Sequence, residues 1–136
     1  METKKHLEQV DSTLYFTESD GWLFYTLHCL RKIKLYHIIS GGDYLNRAIF
    51  SLEEINQGLS RLVSEEFLEI KKQRIIWKPK GKQLLKAHTK FFGNPIDEML
   101  CFMKIFREMP LSREPIYINY FSEYEYQTTV HKYTKQ

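Results

Sequence analysis

Two groups of side chains have types and spacings that could do chemistry. From Leu68 to Lys90 eight cations, Lys71, Lys72, Arg74, Lys78, Lys80, Lys82, Lys86 and Lys90, accompany one anion, Glu69, a local balance of +7 in a chain that totals +3. Such a block suits a polyanion, because each neutralised phosphate releases condensed counterions and adds salt-dependent affinity. The rest of the chain carries −4. The second group is a helical face between Ser51 and Glu66 that presents Glu53, Asn56, Gln57, Ser60, Arg61 and Ser64. Asn56 or Gln57 can pair with adenine and Arg61 with guanine or a phosphate, if that face enters a major groove. Glu53, Glu54, Glu65 and Glu66 bring the same stretch to −3, which opposes phosphate contact.

Other reaction chemistry finds no support. The five histidines, His6, His28, His37, His88 and His131, form neither a His-Glu-x-x-His pair nor a zinc spacing with cysteine, so no metal is expected. Cys29 lies in an apolar helical run without a cation to favour its thiolate. Ser40-Gly41-Gly42-Asp43 lacks the lysine of a phosphate loop, and no carboxylate pair has an acid-base partner. An enzyme is not expected, nor is a cofactor. Two cysteines cannot build a disulfide framework, METKKHLEQV has no apolar leader core, and no run reaches membrane-spanning length. These features point to a soluble, cytoplasmic protein with no membrane partner.

The elements that must position these groups follow from periodicity. Residues 1–18 read as an arm. A first helix, capped by Ser19 or Asp20, runs through WLFYTLHCLRKI with apolar strips on two sides, so both should be covered. LYHIISGGDYLNRAIF reads as a helix to about Ile39, a break at Gly41-Gly42 and a short helix over Asp43 to Arg47, or alternatively as one helix spanning the glycines. Ser51 and Glu54 make a capping box, Phe50 and Ile55 its staple, and Leu52, Ile55, Leu59, Leu62 and Val63 the buried stripe of a helix ending near Glu65. Phe67–Ile70 and Arg74–Trp77 form a hairpin about Lys71-Lys72-Gln73, and Pro79 opens a helix with Leu84, Leu85 and His88 inward. FFGNP breaks the chain. Ile96 to Phe106 is more apolar than a peripheral helix can hide, Pro115 to Ile118 is extended, and Ser122 caps a last helix with Tyr126, Val130 and Tyr133 on one side.

This order, helix, helix, capped helix, hairpin, helix, resembles the winged helix-turn-helix domain over about half the chain. FSLEEINQGLSRLVSEEFLEI is similar to that family's recognition helix and first wing strand. IIWKPKGKQLLKA is similar to its second wing strand and the approach to the next helix, with Lys80 to Leu85 as the match. Two departures are Glu66, where the family usually has Gly or Asn, and Lys78-Pro79 in place of a capping threonine. The resemblance extends in shape to regulators of the phenolic-acid-decarboxylase-repressor and multiple-antibiotic-resistance types, whose terminal helices form a two-fold dimer; here Ile96 to Phe106 would take that part.

The expected fold is therefore mainly α with a small antiparallel β-hairpin, a winged helix-turn-helix with additional C-terminal helices. Its divisions are an arm (1–18), a winged-helix domain (19–90) and a C-terminal helical extension (91–136). The expected function is a homodimeric regulator binding duplex DNA through Asn56, Gln57, Ser60, Arg61, Ser64, Lys71, Lys72 and Arg74. Its dimer interface is expected at Ile96, Met99, Leu100, Met103 and Phe106. A small-molecule effector has no residue-level support. The alternative is a winged-helix module that binds protein and never DNA, which the acidic helix and the 15% aromatic content favour.

Overall fold

The computed structural model describes residues 14–30, 32–89 and 93–135. Most of the arm, with His6, and the expectations for Arg31, Lys90 and the Phe91-Phe92 break lie outside the described residues. In order come α1 (Glu18–His28), α2 (Leu35–Asn46), α3 (Leu52–Ser64), β1 (Leu68–Lys71), β2 (Arg74–Trp77), α4 (Pro79–Thr89), α5 (Pro95–Arg107) and α6 (Glu123–Thr134). The chain is mainly α with one small antiparallel hairpin, as the periodicity predicts. No helix of the described residues is long and apolar enough to cross a membrane.

Helix α1 starts earlier than either predicted cap. The Thr17 hydroxyl accepts the Asp20 N–H at 3.2 Å while the Asp20 carboxylate accepts the Thr17 N–H at 2.9 Å, so Asp20 closes the box from inside the first turn. The helix also ends at His28, well before Ile33. The residues beyond are drawn to the hairpin: Lys32 bridges to Arg74, and the Ile33 N–H donates to Gln73 O at 3.1 Å. Helical periodicity cannot register that competing partner, which lies forty residues away in sequence.

The glycine pair does not break the chain, and the single-helix alternative is the one adopted. A Cβ at Gly42 would stand 2.7 Å from Phe50 Cδ2. Trp22 stacks on that same ring at 3.5 Å and donates its Nε1–H to Gly42 O at 3.1 Å. Gly42 thus makes room for a buried ring, and α2 stops instead at Arg47 in the left-handed region (φ 53°). Because Phe50 is fully buried and cannot swing away, Gly42→Ala is expected to cost about 1–3 kcal/mol through overpacking. Urea unfolding checks this; an unchanged midpoint would show that the ring yields.

Helix α3 opens with the predicted box, Ser51 Oγ accepting the Glu54 N–H at 3.0 Å and Glu54 Oε1 accepting the Ser51 N–H at 2.8 Å. Ile55, Leu59 and Leu62 are fully buried, and Phe50 and Ile55 both enter the core as the staple requires. Glu66 takes the left-handed conformation (φ 63°) at the position where glycine would be easiest. In the hairpin Lys71 pairs with Arg74, leaving Lys72 and Gln73 as a two-residue turn with positive φ at both (51° and 62°), the geometry that matches strand twist.

Helix α5 corrects part of the predicted dimer interface. It lies against α1 so closely that a Cβ at Gly21 would stand 2.7 Å from Met103 Cα. Met99 (1% exposed) and Phe106 (0%) belong to the intramolecular core, so they form no open surface. Ile96 (41%) and Leu100 (51%) are exposed, and Met103 is half-buried. The apolar excess was legible in sequence, but its covering partner, the second side of α1, was not. Phe16 also joins this core, its N–H donating to Met109 O at 3.0 Å.

Residues 115–118 belong to no helix or strand, and Ser122 caps α6 through a box with Glu125. Tyr126 and Tyr133 turn inward as expected, donating to Phe50 O and the Asp43 carboxylate, each at 2.6 Å. No residue of α6 is fully buried.

Candidate functional site

The hairpin and α4 raise the cations to the surface. Lys71, Lys72 and Arg74 are exposed around the turn and line a shallow groove with Ile76. Lys82 and Lys86 are exposed on α4. Among the described residues none of these five enters a salt bridge, so their charge is available to an external anion. Lys80 is engaged instead. Its ammonium lies 4.5 Å from the Phe67 ring centre, donates to Glu65 O at 3.0 Å and sits 3.6 Å from the Glu65 carboxylate.

The polar residues of α3 are placed otherwise than an open reading face requires. Of residues 52–64 only Glu53 is exposed. Asn56 is 6% exposed and Ser60 2%. The covering segment is the chain from Ser112 to Phe121, which runs antiparallel along α3. Glu65 accepts the Ser112 N–H at 2.8 Å and its hydroxyl at 3.0 Å, and Ser64 Oγ accepts the Ile116 N–H at 3.4 Å. Ser60 Oγ accepts the Ile118 N–H at 2.9 Å and gives its own proton to Asn56 O at 2.8 Å. Asn56 grips Phe121 with both ends of its amide, donating to Phe121 O at 3.0 Å and accepting Phe121 N–H at 3.1 Å. The four-residue steps Asn56, Ser60, Ser64 that looked outward in sequence therefore hold the backbone of a strap that is neither helix nor strand.

Arg61 is held from within. Its guanidinium donates from Nη1 to both Asp20 carboxylate oxygens at 3.0 and 3.1 Å and from Nη2 to Gln57 Oε1 at 3.2 Å, and lies 5.7 Å from the Tyr117 ring centre. Asp20 is fully buried, and that burial raises its carboxyl pKa above the ordinary value, against the opposing pull of Arg61 and the Thr17 bonds. Sequence reading missed both Asp20 and the strap. The available signal was the extended stretch at Pro115 to Ile118, which has β character but no strand in sequence left to pair with.

A second polar cluster surrounds Glu98, which is buried and accepts a hydrogen bond from the Tyr25 hydroxyl. Burial, then Glu98, pushes the Tyr25 and Cys29 pKa values up, while burial lowers that of His28. Cys29 itself stands exposed at the C-cap of α1, outside the helical run in which it was expected. Among the described residues no group of three His, Cys, Asp or Glu side chains is arranged to hold a metal ion.

Comparison with known proteins finds no significant match: no family model, no curated relative and no solved structure.

Proposed function

We propose that this chain is a winged-helix protein that binds duplex DNA as a transcriptional regulator, with its basic hairpin as the phosphate contact. The observation that carries the reading is the exposed set Lys71, Lys72 and Arg74 at a tight two-residue turn, free of salt bridges among the described residues and continued by Lys82 and Lys86. The isolated Lys32–Arg74 bridge supports the winged-helix reading, since it sets the link between α1 and α2 beside the two-stranded hairpin. Replacing Lys71, Lys72 and Arg74 together with alanine is expected to weaken binding to any duplex and to flatten log K against log salt by about 0.9 per lost phosphate contact. An unchanged slope would remove the hairpin from the interface.

Homodimerisation is part of the same proposal and now rests on Ile96 and Leu100, which lie one helical turn apart and exposed on α5, whereas Met103 faces the contact with α1. Leu100→Glu should convert a dimer to a monomer by light scattering at micromolar concentration. A wild-type chain that is already monomeric there would refute it.

The second reading, a protein-interaction module that does not touch DNA, is favoured by the covered, acidic α3. Failure of the wild-type chain to bind nonspecific duplex at low salt would select it.

A further inference from the structure

We propose that the strap, residues 112–121, is a built-in inhibitor that masks the base-reading face of α3 and must lift before the chain can recognise a DNA sequence. This rests on the DNA-binding reading above and adds to it a closed and an open state.

The strap takes the hydrogen-bonding groups that base recognition would need. The Asn56 amide presents one donor and one acceptor, the pair that matches an adenine edge, and the strap satisfies both with the N–H and C=O of Phe121. Ser60 is likewise occupied by the Ile118 N–H. With both side chains buried, no base edge can reach them while the strap is down.

The strap is also constructed to leave. Its middle is held by its backbone, with Ile116, Tyr117 and Ile118 76%, 52% and 48% exposed, while Pro115 is buried and Tyr120 and Phe121 rest on the core. The stretch from Ile116 to Ile118 therefore buries little apolar surface, which is the condition of a segment that opens locally while the core stays folded. Beyond it α6 has no fully buried residue; Tyr126, Val130 and Tyr133 pack against the core, and the Tyr126 and Tyr133 hydroxyls donate to Phe50 O and Asp43. The other end is continuous with the core through the Leu111 N–H, which donates to Leu14 O at 2.8 Å. The unit that moves is thus the strap with α6, hinged near Leu111. Opening leaves Arg61 in place, because Asp20 and Gln57 hold it from inside the domain. Sequence preference in the open state accordingly comes from Asn56 and Ser60.

The test releases the strap without altering α3. In the full chain, Ile118→Pro with Phe121→Pro removes the two N–H donors that Ser60 and Asn56 accept, within a segment outside any helix or strand. Relative to wild type, the variant should bind duplex at least about tenfold more tightly, as expected if the open state is a tenth of the population or less. It should also enrich a sequence motif from a random duplex pool that wild type does not enrich. Equal affinity and equal lack of enrichment, with hairpin-dependent binding intact in both, would overturn the strap and leave the hairpin reading standing. Absence of binding by either chain overturns both. Should the variant fail to fold, amide exchange on the wild-type chain decides the matter. The Ile118 and Phe121 amides should lose protection when duplex is added, and protection retained in the bound state overturns the proposal.

Discussion

Replacing Asp20 with alanine is expected to destabilise the chain by about 3–5 kcal/mol, the cost of leaving one member of a buried ion pair without its partner. Asp20 is fully buried and the Arg61 side chain is only 14% exposed, so water cannot take the carboxylate's place. The same change opens the first turn of α1, where the Asp20 carboxylate holds the Thr17 N–H. It also frees Arg61, on which Gln57 and Tyr117 converge. Urea unfolding should show a lower midpoint at unchanged slope. A loss below about 1 kcal/mol, the range of an exposed pair, would mean that Arg61 relaxes to solvent.

The pH dependence of this site has a definite sign. Burial lifts the Asp20 pKa above 3.8, so ionising it costs the folded state more than the unfolded one. Its contribution to stability is complete below 3.8 and is lost as pH rises through the raised pKa. Asp20→Asn does not titrate. The stability of wild type relative to that variant should therefore fall with rising pH across this window, and a relative stability that climbs would reverse the assignment.

Phe106→Ala is expected to cost a comparable amount, about 3–5 kcal/mol, through the cavity it leaves. The Phe106 ring is fully buried and meets Phe16 and Phe24 at 4.9 Å and Phe67 at 5.6 Å, so rings from four parts of the chain share one site. None can move inward without pulling on its own element. The loss should be independent of protein concentration, because the cavity lies within one chain. A concentration-dependent loss for Phe106→Ala would return this residue to an interface between subunits.

Local signals were the legible part. The Ser51 and Ser122 caps, the stripe Ile55, Leu59, Leu62, the hairpin about Lys72 and Gln73, and Pro79 at the start of a helix are all visible in sequence. Each depends on residues no more than a few positions apart, where backbone geometry leaves few choices. The errors were made where a distant partner intervened. Thr17 displaced Ser19 and Asp20 as the cap because Asp20 is the inward arm of the box and the mate of Arg61. Gly42 looked like a break because its reason, the Phe50 ring, is contributed by another turn of chain.

By itself the sequence determined the helical and hairpin elements and where the positive charge is concentrated, since periodicity, capping and charge are properties of neighbouring residues. Tertiary structure alone decided which faces remain open. Apolar and polar periodicity say that Met99 and Phe106 need cover and that Asn56, Ser60 and Ser64 share one side of a helix, but not whether solvent, another molecule or the same chain meets them. That choice depends on long-range packing: α1 covers α5 through the close approach at Gly21, and the segment from Ser112 to Phe121 satisfies the polar side of α3 with its own backbone.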